Sequence, residues 1–177
     1  LNLTGIVRGL AGLAQPMIIV HGANSVRDGL AKSLGQTVEV LTSARGYSSV
    51  HSDESAIDLL MMAYAGLRNK RLVELCQQHG LDAVGLSGVD GGVIRAQRNR
   101  GIRVQDGDRP RLVHDLSGKP VFVNRKLLDL LLDAGHVPVL TVPILDEHGV
   151  AVNSENDEIV RLLQQEYSAE LVLQFMG

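Results

Sequence analysis

The sequence predicts an α/β fold, a three-layer αβα sandwich around a mainly parallel sheet. Strand-like runs alternate with helix-like runs along the chain. Two of the strands, "MIIV" at 17–20 and "HVPVLTVPIL" at 136–145, are apolar almost throughout, as strands covered on both faces require. With 177 residues, 45% of them hydrophobic, the chain fits one large domain or two small ones and has ample core.

The elements follow in order. "MIIV" stops at His21 and Gly22 and hands over to residues 25–34, where Val26, Leu30 and Leu34 recur at helical spacing and Gly35 supplies a C-cap. "QTVEVLT" at 36–42 alternates like a strand. Residues 53–79 read as one long helix, with Ile57, Leu60, Met61, Tyr64, Leu67, Leu72 and Leu75 at threes and fours. Gly66 inside it marks a bend or a close helix contact. "DAVGLSG" at 82–88 is the next strand and its exit turn, and the polar stretch 93–113 is a β-hairpin or excursion around "DGD". A strongly amphipathic helix covers 124–134 and ends at Gly135. Asn153 or Ser154 is placed to cap a helix running to about Tyr167, and "AELVLQFMG" at 169–177 reads as a last strand.

Composition removes several function classes. The formal net charge of -3 argues against a general nucleic-acid or membrane binder. No apolar run approaches the roughly 20 residues of a membrane span, and no signal-peptide pattern is visible. The single cysteine, Cys76, excludes an internal disulfide framework, suits a cytoplasmic location, and on its helical pattern reads as a small buried hydrophobe. The six histidines (21, 51, 79, 114, 136 and 148) lack metal-ligand spacing, so no structural metal is expected. Asp106 and Asp108 belong to a turn, and "GVDGG" is too short for a dinucleotide fingerprint.

Four stretches carry a resemblance: "VHGAN" (20–24), "AYAGLRNKRLVELCQQHGLDAVGLSGVDGG" (63–92), "VNRKLLDLLLDAGHVPVLTVP" (123–143) and "VNSENDEIVRLLQQEYSAELVL" (152–173). Together and in this order they resemble the amino-acid kinase family. The nearest branch is that of acetylglutamate kinase and of the kinases acting on aminoadipate or glutamate held by an amino-group carrier protein. The resemblance implies ATP-dependent phosphorylation, with magnesium, of the side-chain carboxylate of an N-acylated or carrier-bound glutamate or 2-aminoadipate. The product is an acyl phosphate, made in arginine or lysine biosynthesis. Such chemistry rests on positioning and charge neutralisation, so it needs few reactive side chains and many backbone donors.

On that resemblance Gly22, Ala23 and Asn153 would place the acceptor, and Asp157 would organise the phosphates and the lysines around them. The family's second glycine is Ala23 here, followed by Asn24, and alanine disfavours positive φ, which would narrow or reshape the cradle. Glu155 and Asn156 also depart from the pattern. Val50 stands where the family has an arginine for the acceptor's carboxylate, a contact valine cannot make; Arg45 and His51 are near enough in sequence to stand in. Each position has a structural alternative as well: an ordinary strand-helix turn at 22–24, helix capping at Asn153, solvated loop residues at 45 and 51.

The resemblance further implies that residues 1–177 are a single domain, the acyl-acceptor half, with the first phosphate-binding strand and the nucleotide half lying outside it. Neither of the family's phosphate-contacting lysines has a match in the chain. An alternative therefore stands beside the kinase: a catalytically impaired, kinase-like binding or regulatory subunit.

Arg95, Arg98, Arg100 and Arg103 lie between Gly91 and Gln105 with no acid among them. In carrier-dependent relatives such a basic surface meets an acidic carrier protein, and here these four are the expected contacts; a solvated hairpin is the alternative. The helix 53–79 corresponds to the one that packs across a homodimer interface in the family.

Overall fold

The computed structural model describes residues 2–13, 15–42, 48–106 and 109–175. It opens with a helix that sequence reasoning passed over, α1 (Leu3–Ala11), capped by the Asn2 side chain, which accepts the Gly5 amide at 3.0 Å. β1 (Ile19–Val20), α2 (Asn24–Ser33) and the antiparallel pair β2 (Val40–Thr42) and β3 (Ser48–Val50) follow. The long helix is three segments: α3 (Glu54–Leu60), a π-helix (Met61–Arg68) and α4 (Asn69–Gln78). β4 (Ala83–Ser87) leads through a 3-10 turn (Asp90–Gly92) to β5 (Ile94–Arg98). Next come β6 (Ile102–Asp106), β7 (Arg109–Val113), β8 (Gly118–Val123) and α5 (Arg125–Asp133). β9 (Val137–Thr141), β10 (Ile144–Leu145), β11 (Ala151–Val152) and α6 (Asn156–Tyr167) complete the order.

β1, β9 and β4 form a wholly parallel sheet with β9 in the middle, Val139 pairing with Ile19 on one side and Gly85 on the other. The two-residue period of a strand splits its side chains between two apolar layers. Ile19, Ala83, Val137 and Val139 pack with Val7 of α1 and with Leu72 and Cys76 of α4. Ile18, Val20, Leu86 and Leu140 pack with Leu128 of α5 and with Ile159 and Leu163 of α6. Helices on both faces explain the continuous apolar strands and give the predicted αβα layering. A second sheet, β11-β10-β5-β8, is antiparallel except for the β10–β5 pair, and the 93–113 stretch supplies β5 to it and the separate β6–β7 hairpin.

Several expectations need correction. "HVPVLTVPIL" is not one strand: Pro143, which has no N–H to give a ladder, separates β9 from β10 as the chain changes sheets. "QTVEVLT" contributes only its last three residues, as β2. "AELVLQFMG" forms no strand over 169–175: α6 ends at a left-handed Ser168, no described strand runs beside the segment, and an unpaired strand gains no ladder. Gly66 marks neither a kink nor a tight contact but the widened π-turn. Cys76 is fully buried, and burial pushes its thiol up, as an inert core position requires.

Candidate functional site

Two helix N-termini meet at the end of β1. Ala23 is the N-cap residue of α2, and neither its side chain nor any other closes the first turn. Its φ is -149°, extended backbone that alanine adopts freely, and Gly22 is absent from the positive-φ glycines. The feared distortion at Ala23 does not arise. α6 begins in the same manner, with Glu155 as N-cap residue and no side-chain capping bond. A Cβ placed on Gly22 would lie 3.3 Å from Asn156 Nδ2, so the two N-termini adjoin. Open amides and the positive ends of two helix dipoles are chemically suited to an anion.

The polar groups around it are held or waiting. The expected capping by Asn153 or Ser154 is absent. Asn153 instead donates its amide to Leu116 O at 2.8 Å and its Nδ2 to Ser52 Oγ at 3.2 Å. Ser154 Oγ and Asn156 Oδ1 are buried without a partner, an arrangement that costs stability unless something else binds there. Asp157 sits exposed in the first turn of α6.

His21 anchors the lip. Its amide donates to Leu140 O at 3.1 Å, its carbonyl accepts from Thr141 Oγ1 at 3.0 Å, and its Nε2 lies 3.0 Å from Asn69 Nδ2. Burial pushes the imidazole down to about 4, the Gly22 carbonyl opposing and the Arg68 charge assisting. The neutral ring therefore accepts from Asn69 at Nε2 and turns Nδ1 toward Gly22 O, 3.4 Å away. Asn69 is fully buried and also donates to Val139 O at 3.0 Å. It fits only because residue 85 is glycine, where a Cβ would stand 1.9 Å from Asn69 Oδ1. From the π-helix, Tyr64 donates its hydroxyl to Asn24 Oδ1 at 2.5 Å, tying the first residue of α2 to the core. Burial pushes the Tyr64 hydroxyl up, keeping it a donor.

Beside the lip is a cleft of about 100 Å³, lined by Arg27, Glu39, Val50, His51, Ser52 and Asn153, among others. Val50 lines it and is apolar. His51 is neither a free cation nor a solvated loop residue: its Nδ1 lies 2.9 Å from Glu39 Oε2 and its Nε2 2.9 Å from His114 O. That bracket raises its pKa, chiefly through the His114 carbonyl. Arg45 lies outside the described residues. The cleft floor is fixed by Asp115, which is buried and accepts the Ser52 amide at 2.8 Å. Arg27, Tyr64, Asn69 and Asp115 escaped sequence reasoning as site residues. Their spacing signals only an amphipathic helix or a loop, and the long-range side-chain contacts of Tyr64, Asn69 and Asp115 span 40 to 70 residues.

The four arginines of the polar stretch are placed apart. Arg95 and Arg100 are exposed, whereas Arg98 pairs with the buried Asp146 at 3.5 Å and its amide donates to Glu147 Oε2 at 2.9 Å. Arg103 lies in β6 opposite Leu112. The basic run read from sequence is thus partly neutralised by Asp146, 48 residues from Arg98.

Fold and site define an α/β domain in which two uncapped helix N-termini adjoin at the end of a parallel sheet. The sequence matches the amino acid kinase family over residues 2–175. The chain belongs to that family. It is 38% identical over 159 residues to the "[LysW]-aminoadipate kinase" of Thermus thermophilus, covering 89% of this chain and 59% of that protein. It is 34% identical over 151 residues to the acetylglutamate kinase of Methanopyrus kandleri, covering 85% and 58%. The chain thus spans less than two thirds of the length of these relatives. Among solved structures, smu.665 from Streptococcus mutans superposes with a TM-score of 0.74 at 17% identity, covering 94% of this chain and 62% of that one. An N-acetylglutamate synthase from Neisseria gonorrhoeae gives 0.66 at 22%, covering 95% and 36%. Both likenesses are of fold.

Proposed function

We propose that this chain is the acceptor half of a kinase that phosphorylates the side-chain carboxylate of an N-acylated or carrier-bound glutamate or 2-aminoadipate. The observation that carries the reading is the pair of uncapped helix N-termini adjoining at Gly22, with two buried polar atoms unpartnered beside them. An acceptor carboxylate and a phosphoryl group are both anions and would satisfy those amides. Asp157, exposed in the first turn of α6, suits the organising role that the family resemblance gives it. Named relatives acting on aminoadipate and acetylglutamate support the acceptor class.

ATP, with magnesium, would supply the phosphoryl group and neutralise its charge. The chain's own residues do the rest: α2 and α6 present amides, Gly22 leaves room for close approach, and Asn69 fixes His21 beneath the lip. The neutral His21 positions backbone and carries no proton to the reaction. An acidic amino-group carrier protein would approach over Arg95 and Arg100. Exposed Met61, Met62 and Leu67 on the π-helix suit a homodimer face.

The impaired-subunit reading is motivated by Val50, which leaves the family's arginine position without a cation. Both readings are separated by assaying the protein expressed from its gene for acyl-phosphate formation, trapped with hydroxylamine, using acetylglutamate and carrier-bound aminoadipate. Hydroxamate formation dependent on ATP and acceptor is the expected result. Acceptor binding with no turnover would leave the subunit reading in its place.

A further inference from the structure

Among the described residues, the cleft beside the lip holds one guanidinium. Arg27 stands one helical turn beyond Ala23, its amide donating to Ala23 O at 2.9 Å. Its side chain is only 13% exposed and shares the cleft wall with Val38, Val50, Leu59, Leu60 and Asn153. Its contacts run to one oxygen of Asp28, from Nε at 2.9 Å and from Nη2 at 2.8 Å. Nη1 has no hydrogen bond among the described residues. Asp28 is 57% exposed, so water screens that pair and a better carboxylate can replace it. The other acids of the cleft are engaged, Glu39 with His51 and Asp53 with the Ala56 amide.

We infer that Arg27, in place of the cation that Val50 cannot supply, binds the α-carboxylate of the acceptor. The inference rests on the acceptor reading above and names the residue that carries its specificity. Four residues of helix separate Arg27 from Ala23, about 6 Å along the axis. The two carboxyl carbons of an extended glutamate or aminoadipate are about 5–6 Å apart at standard bond lengths. A molecule gripped at Arg27 therefore brings its far carboxylate within reach of the open amides. The apolar walls at Val38, Val50, Leu59 and Leu60 lower the local dielectric and strengthen the charge pair. Val50 then needs no cation of its own.

The test uses N-acetyl-L-glutamate, N-acetyl-L-2-aminoadipate and the α-carboxamide of each. Binding is followed by calorimetry and turnover by hydroxamate formation, on the wild-type protein and on Arg27→Met. The wild type should bind the acids about 10- to 100-fold more tightly than the carboxamides. Arg27→Met should weaken the acids by the same factor, cease to distinguish acid from carboxamide, and leave the KM for ATP unmoved. Equal wild-type affinity for acid and carboxamide overturns the assignment, as does a variant that still discriminates or a wild type that binds neither acid. The carboxamide comparison needs no variant, so a poorly folded mutant cannot shelter the idea. Discrimination in binding without turnover of these acids or of carrier-bound aminoadipate would sink the kinase reading and leave Arg27 in its role.

Discussion

His21 and Asn69 show how much of this site depends on one buried pair. The His21 imidazole is held near 4 by burial, against about 6.5 in an unfolded chain. Between those values the unfolded chain takes up the proton and the folded one does not. The stability that His21 contributes is thus present above pH 6.5 and is lost as pH falls toward 4, on the order of 3 kcal/mol. His51 works in the opposite sense. Its raised pKa adds stability that is complete below its ordinary value and lost as pH climbs through the raised one. Urea unfolding across pH 4 to 8 should show the acid-side slope, and His21→Gln should flatten it; an unchanged slope would mean that His21 is not buried neutral. Gly85 supplies a second test on the same pair. A methyl there would meet Asn69 Oδ1 at 1.9 Å and the Val73 side chain at 2.9 Å. Gly85→Ala should cost about 3 kcal/mol by overpacking. A variant as stable as wild type would contradict the contact.

At the scale of elements, the starts of α2 and α6 are the least stable design a helix terminus allows. A helix with no side-chain cap forgoes roughly 1 kcal/mol that serine or aspartate supplies, and both do so at the one place where they adjoin. That pattern removes capping, one of the two roles the sequence left open at Asn153. Glu155→Ser should cap α6 from within. The expected outcome is a gain of about 1 kcal/mol in thermal unfolding together with a higher KM for ATP or acceptor, because the new hydroxyl occupies amides meant for the anion. A gain in stability with unchanged KM values would remove α6 from the site. The π-helix has a comparable place. Its extra residue per turn turns Tyr64 toward Asn24, and a regular α-helix through Met61–Arg68 would set that hydroxyl elsewhere.

At the scale of the whole molecule, layering was legible in the sequence and long-range partnerships were not. Continuous apolar strands such as "MIIV" announce two covered faces by composition alone, and Gly35 and Gly135 stop their helices where expected, both at positive φ. "AELVLQFMG" has strand composition but no described neighbour to pair with, so composition misled. The arginine run misled for the same physical reason, since Asp146 and Glu147 reach it only through the β5–β10 pairing. This matters for any test of carrier docking. Reversing Arg98 would strand the fully buried carboxylate of Asp146 and damage the fold. Arg95 and Arg100 are exposed, and altering them leaves that pair intact. Arg95→Glu/Arg100→Glu should therefore keep the unfolding midpoint while slowing association with an acidic amino-group carrier protein. Steered encounters gain mainly in on-rate, so the loss should appear there and shrink as salt rises. Stopped-flow association at low and at physiological ionic strength separates the cases. An on-rate equal to wild type at low salt would remove this face from docking and leave the acceptor cleft as the carrier's only point of contact.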